Sequence, residues 1–114
     1  MKQRKSARLA GNLDLAESEY AAIVGEGYER LGRIYSASAN YPAAVTVLEA
    51  AQRYRPDAPD LLVALAIAHF GAQQYEKALG LANKAMALAP DSAGAHQMLG
   101  KTYFMLGERG QVDN

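Results

Sequence analysis

The chain has 114 residues, half of them hydrophobic, with twelve acidic and twelve basic side chains and no cysteine. Such a length fits one domain, and the apolar content is sufficient to bury a core. A formal charge of zero gives no electrostatic basis for binding nucleic acid, and the lack of cysteine excludes disulfides, thiolate metal sites and thiol nucleophiles.

Targeting segments are not predicted by this sequence. The basic N-terminus, with Lys2, Arg4 and Arg8, is followed by polar and acidic residues rather than by the apolar stretch of a signal peptide. The longest apolar stretch, Leu61 to Phe70, is shorter than the roughly 18 residues of a membrane span. We therefore expect a cytoplasmic protein without membrane insertion, although targeting elements outside this sequence stay open.

Residues 1–24 are interpreted as a partial hairpin that caps the chain. Gly11-Asn12, followed by Ala16, Tyr20 and Ile23, is typical of a turn and the second helix of a hairpin, and the basic stretch before it is interpreted as a truncated or frayed first helix. Gly25 and Gly27 then predict a tight turn into the next helix.

The rest of the chain predicts five amphipathic helices. Pro56 and Pro90 lie where a helix has just ended, and Asn40 and Ser92 are predicted N-caps of the helices that follow them. Apolar residues recur every three or four positions, as one helix face requires. The segments with this spacing are 28–38, 43–54, 61–71, 76–88 and 95–106.

A 34-residue period runs through these helices. Pro56 and Pro90 are 34 residues apart, and the same offset relates residues at five further positions. Chance matches at so many apolar and turn positions are improbable, so the period indicates an internal structural repeat. The matching sets are Leu31, Leu65 and Leu99; Tyr35, His69 and Tyr103; Tyr41 and Tyr75; Ala44 and Ala78; and Ala51 and Ala85.

These residues resemble the tetratricopeptide repeat family. The first unit has the aromatic, Leu-Gly, Tyr, small, large and Pro pattern of that family, in Tyr28, Leu31-Gly32, Tyr35, Tyr41, Ala44, Leu48, Ala51 and Pro56. The second unit departs from it at Ala66, His69 and Ala82, and the third begins with His96, Leu99-Gly100 and Tyr103. The resemblance implies an all-α, right-handed superhelical stack of antiparallel helix hairpins. Its units would be the capping segment 1–24, repeats 25–58 and 59–92, and a C-terminal half-repeat 93–114.

Catalytic chemistry is not predicted. His69 and His96 occupy repeat positions that pack between helices, and neither belongs to a metal-binding or acid–base motif. Acidic pairs such as Glu17/Glu19 and Asp57/Asp60 fall at helix starts or on helix surfaces, where they interact with the helix dipole or with solvent. We therefore expect no enzymatic activity, no cofactor and no metal.

The resemblance implies that first helices line a concave groove for a peptide or helix of a partner protein. Segment 61–71 is apolar nearly all round, so one of its faces needs cover from outside its own hairpin. We hypothesise an apolar seat for the partner, with basic residues as polar anchors at its edge. Its apolar members are Val63, Ile67, Phe70, Phe104 and Met105, and its anchors are Arg33 and Lys101.

Several alternatives stay open at this point. Helices outside this sequence, the N-terminal segment or a second copy of the chain would cover the same apolar face equally well. The protein is accordingly interpreted as an adaptor or scaffold, or in a narrower version as a chaperone for a secretion or pilus-assembly subunit. Self-assembly into a homo-oligomer, or a docking segment of a larger enzyme or regulator, are the competing interpretations.

Overall fold

The computed structural model describes the backbone of residues 2–113 and the side chains of residues 19–108. Its regular structure consists of α-helices, and no strand occurs in that part of the chain. The chain therefore forms a stack of helical hairpins, which confirms the predicted all-α repeat architecture. The helices are α1 (Lys2–Ala37), α2 (Tyr41–Tyr54), α3 (Pro59–Gly71), α4 (Tyr75–Leu88) and α5 (Ala93–Asp113).

The two hairpin turns have the same backbone conformation, one period apart. Ala39 and Gln73 both adopt a left-handed conformation, with φ of 61° and 64°. In each turn the next N–H bonds back across the helix end, from Asn40 to the Tyr35 carbonyl and from Gln74 to the His69 carbonyl, both at 2.8 Å. This is the Schellman arrangement that ends a helix and satisfies its last carbonyls. Non-glycine residues are strained there, so the packing of the two hairpins must hold the turns in place.

Small residues let the helices of each hairpin approach closely. A Cβ added at Gly32 would overlap the side chain of Leu48, which is itself completely buried. In the second hairpin Ala66 and Ala82 replace this pair and are both buried in one cluster with Met98. The expectation that small residues mark the sites of helix approach is therefore confirmed at these positions.

The core is continuous from one hairpin to the next. Leu48 of α2 packs with Leu61 and Leu65 of α3, and alanines on both helices fill the space between them. On its other side α3 buries Leu62 against Ala85 of α4 and Ala95 of α5. Since α3 contacts all four of the other helices, it is the central element of the stack, which explains why it is apolar nearly all round.

The predicted ends of α2, α3 and α4 coincide with the observed ones. Ser92 is an N-cap whose hydroxyl accepts a hydrogen bond of 3.1 Å from the Ala95 N–H. Asn40 occupies the N-cap position of α2, but its side chain makes no capping bond. Pro56 and Pro90 follow the ends of α2 and α4, as the sequence predicts. The repeat boundaries at residues 25–58 and 59–92 stay predictions.

The tight turn predicted at Gly25 and Gly27 is wrong. α1 runs as one helix through both glycines and through Gly11. Gly25 lies against α2, where an added Cβ would come within 3.2 Å of the Tyr54 Cβ, so the small residue is needed for close helix approach. The side chains of residues 1–18, including that of Ala16, lie outside the described residues, so contacts expected of them are not assigned.

α5 also continues where the sequence predicts an end. Gly107 is one period beyond Gln73 and two beyond Ala39, yet no glycine in the described residues has a positive φ, and α5 extends to Asp113. Each of the turns at Ala39 and Gln73 is followed by a helix that packs back on the helix before the turn. Where no such helix packs, continuing the helix adds local hydrogen bonds without a strained residue.

We expect Gly32→Ala to destabilise the fold. The added methyl group meets Leu48 at a fully packed contact, so the free energy of unfolding should fall by about 1–3 kcal/mol. Gly80→Ala is the matched control: its Cβ meets nothing within 4 Å, and it should stabilise α4 by about 0.5–1 kcal/mol. Urea unfolding followed by circular dichroism measures both, and equal effects of the two substitutions would contradict the packing described here.

Candidate partner-binding groove

A groove lies between α1 and α3, the first helices of the two complete hairpins. It encloses about 310 Å³. The side chains that line it are Arg33, Ser36, Ala37, Asp60, Val63, Ala64 and Ile67. Three of the seven residues proposed from the sequence, Arg33, Val63 and Ile67, therefore come together here.

The floor of the groove is apolar and partly open. Ile67 is 43% exposed, although it lies on the most buried helix of the molecule. Val63 is more covered, because it also packs against the clusters formed by α3, α4 and α5. The apolar face expected on α3 is thus largely closed by neighbouring helices, and Ile67 is its most exposed large residue.

The other proposed residues lie outside this groove. Phe70 is partly buried and packs edge-on against Tyr75, with ring centroids 5.3 Å apart. Lys101 and Phe104 are exposed on α5, where 66% of Phe104 is accessible, and Met105 is partly buried. The structure therefore does not bring Phe104 and Met105 into contact with the α1–α3 groove.

An ion-pair network forms one end of the groove. The Glu29 carboxylate is almost completely buried and accepts hydrogen bonds from Arg33, at 2.7 Å, and from Arg55. Arg55 also reaches Asp60, at 3.3 Å between Nη2 and Oδ1. A buried carboxylate with two guanidinium partners is well compensated. The network joins α1 to the start of α3. Its bond to Glu29 holds the guanidinium group of Arg33 beside the groove.

The ion-pair network lowers the pKa of Asp60. Partial burial acts to raise the pKa of Asp60, but the charge of Arg55 and hydrogen bonds, including one from the Leu61 backbone, outweigh it. The net result is a pKa below the usual value. Asp60 is therefore ionised near neutral pH and gives the groove an acidic group next to the basic Arg33.

Ser36 adds a polar group to the groove wall. Its hydroxyl oxygen is buried and has no hydrogen-bond partner among the described residues. Buried polar atoms without a partner are uncommon in proteins. Ser36 is one of the residues that line the groove.

Most of this helical stack matches a known protein family in sequence. The family model for the anaphase-promoting complex (cyclosome) subunit 3 matches residues 37–111, which is well over half of the chain. The chain belongs to this family. It is a family of tetratricopeptide-type repeats, so the resemblance found in the sequence is confirmed. No individually curated protein matches the chain.

Membership of this family supports a role in protein–protein interaction. Families of this type are generally non-catalytic interaction modules. Among the described residues no cluster of three or more His, Asp or Glu side chains is arranged to hold a metal ion. No helix of that part of the chain has the length and apolar content to cross a membrane.

The two histidines differ in their surroundings. His69 is buried, as expected for a packing position, and its Nδ1 donates to the Gln74 side-chain oxygen at 2.7 Å. The expectation that His96 also packs between helices is wrong. His96 is exposed and its Nε2 donates to the Pro90 carbonyl at 2.9 Å, because no second helix covers that side of α5 in the described residues.

Sequence reasoning missed the Glu29–Arg55–Asp60 network. Glu29 and Arg55 are 26 residues apart, and charged residues at such a distance have no spacing rule that pairs them. Their positions in the sequence do indicate proximity: Arg55 directly follows α2 and Asp60 lies in the first turn of α3, so a short connection brings them together. That Glu29 is buried is evident only from the packed structure.

We expect Asp60→Asn to remove a pH-dependent part of the stability. Because folding lowers the pKa of Asp60, the stabilisation is present above the unfolded pKa of about 3.9 and is lost as the pH falls through the lower folded value. At pH 7 the variant should lose about 1 kcal/mol or less, since Asp60 is half exposed. Urea unfolding of both proteins from pH 7 to acid should show the difference shrinking, whereas a difference independent of pH would contradict this assignment.

Proposed function

We propose that the chain is a non-catalytic interaction module, of the adaptor or scaffold kind, that binds a peptide or helical segment of a partner protein in the α1–α3 groove. The observation that carries this proposal is an open apolar floor, centred on Ile67, between two sets of polar side chains. Concave sites with apolar floors and a few fixed polar groups are the usual form of binding sites in proteins.

The chemistry of the groove suggests what the bound segment carries. Ile67 and Val63 favour one apolar side chain of the partner, since burying it removes apolar surface of both molecules from water. Ser36 offers a hydroxyl to a backbone amide or carbonyl of the same segment. The preferred segment is therefore short, with an apolar anchor flanked by polar groups.

Arg33 provides orientation rather than most of the affinity. Its guanidinium is more than half exposed and keeps one bond to Glu29. The remaining donors of the fork are free to meet a carboxylate or carbonyl of the partner. Contacts of this kind at a groove edge fix register and raise specificity more than affinity.

The binding surface extends towards α5 in this proposal. Phe70 continues it on α3, and Lys101, Phe104 and Met105 continue it on α5, with Lys101 as a second basic anchor. The exposure of Phe104 supports this extension, because large exposed apolar side chains are enriched at interaction surfaces. A longer partner segment would lie along both parts.

The test is selection of binding peptides from a displayed random library against the wild type. Ile67→Asp places a charge on the groove floor and should weaken binding of the selected peptides at least tenfold, because an unpaired charge would have to be buried beneath the anchor. Ile34→Asp is the matched control. Ile34 is 60% exposed and does not line the groove, so its variant should bind like the wild type.

Circular dichroism separates binding from folding in this test. Both variants change exposed isoleucines and should retain wild-type helicity. Equal binding by the wild type and a folded Ile67→Asp would show that the selected peptides do not use the groove. Loss of helicity in Ile67→Asp would show instead that the position is core.

A further inference from the structure

One face of α5 is open although its repeat counterparts are closed. We define this open face by His96, Gly100 and Tyr103, whose counterparts one period earlier are all buried. Nothing in the described residues lies within 4 Å of a Cβ built on Gly100, and Tyr103 is 57% exposed. The face carries two aromatic rings around a glycine, which is an unusual arrangement for a helix surface that meets only water.

The 34-residue period shows what this face is shaped to receive. Gly32, two periods before Gly100, is filled by Leu48 of the second helix in its hairpin. Leu62 and His69, one period before His96 and Tyr103, are 1% and 9% exposed. Each counterpart is covered by packed helices. The open face of α5 therefore has the form of a surface that packs against the second helix of a hairpin.

The chain carries such a helix elsewhere. Ala16, Tyr20 and Ile23 have the spacing of Ala44, Leu48 and Ala51, which face the first helix of their hairpin from α2. Tyr20 and Ile23 are 68% and 63% exposed on α1. Of Ala16 only the sequence position enters this comparison. Segment 12–24 of α1 thus has the sequence of a second helix, and it exposes Tyr20 and Ile23.

Size and charge match between the two surfaces. Gly100 leaves room for a large residue, and Tyr20 occupies the position that corresponds to Leu48. Segment 12–24 contains Asp14, Glu17 and Glu19 and no basic residue, whereas segment 93–107 contains Lys101 and no acidic residue. Opposite charge on the two segments favours their encounter and disfavours pairing of either segment with its own copy.

The two surfaces of one molecule do not meet. α1 is a single helix packed on α2 and α3, whereas α5 packs on α4 and α3, and no contact joins α1 to α5 in the described residues. Because segment 12–24 continues the same helix that packs on α2, we infer that it reaches α5 from another copy.

We propose that the open face of α5 binds segment 12–24 of a second copy of this chain, with Tyr20 packed over Gly100. The two surfaces are different, so the contact is head to tail and leaves one free surface at each end of a pair. The assembly therefore grows with concentration unless it closes into a ring. This proposal stands apart from the α1–α3 groove, whose lining residues lie on α1 and α3.

The test is the mass of the full chain in solution, measured by light scattering across the micromolar range with two variants. Gly100→Leu fills the space that Tyr20 needs, and the Cβ it adds has no neighbour within 4 Å among the described residues. Tyr20→Asp alters the exposed partner residue. Each variant alone should be monomeric where the wild type is larger, while Gly80→Leu, also without neighbours within 4 Å, should behave like the wild type.

A mixture of the two variants tests whether the contact joins two different surfaces, head to tail. Each retains the surface that the other has lost, so the mixture should form a complex of one copy of each that does not grow further. Formation of that complex also shows that both variants are folded. A wild type that stays monomeric throughout the range, a variant that keeps the wild-type mass, or a mixture that stays monomeric would each overturn the proposal.

Discussion

The close approach of two helices at Gly32 is the constraint on which the rest of the structure depends. Leu48 enters the space where a larger residue would stand, and this contact brings α2 back along α1. The hairpin packing then holds Ala39 in its left-handed conformation. In the second hairpin Ala66 and Ala82 take the places of Gly32 and Leu48. The two side chains that face each other together fill the space between the helices, so a larger residue on one helix is matched by a smaller one on the other.

The groove follows from the way the hairpins stack. α3 contacts all the other helices and buries most of its surface in doing so, but the α1–α3 junction leaves Ile67 partly open. The Glu29–Arg55–Asp60 network ties the two helices together at one end of this junction. A fixed spacing between α1 and α3 keeps the groove open in the free protein, which lowers the ordering cost of binding a partner there.

The sequence predicts those features that depend on local spacing or on the period. The helices of the complete hairpins, the cap at Ser92 and the small residues at helix contacts are of this kind. Turn signals were less informative: Gly25, Gly27 and Gly107 are all helical, because a turn forms where a following helix packs back. The exposure of His96 has the same origin. Of the groove, Arg33, Val63 and Ile67 were predicted because the repeat places them on one side, whereas the pairing of Glu29 with Arg55 depends on the tertiary fold.

We propose above all that the α1–α3 groove is the surface on which this chain binds a partner protein. The most direct measurement is an amide NMR titration of the wild type with a peptide that it selects from a library. We expect the amide chemical shifts to change mainly at residues 33–37 of α1 and 60–67 of α3. Changes confined to the outer surfaces of α2 and α4, with these two segments unaffected, would contradict it.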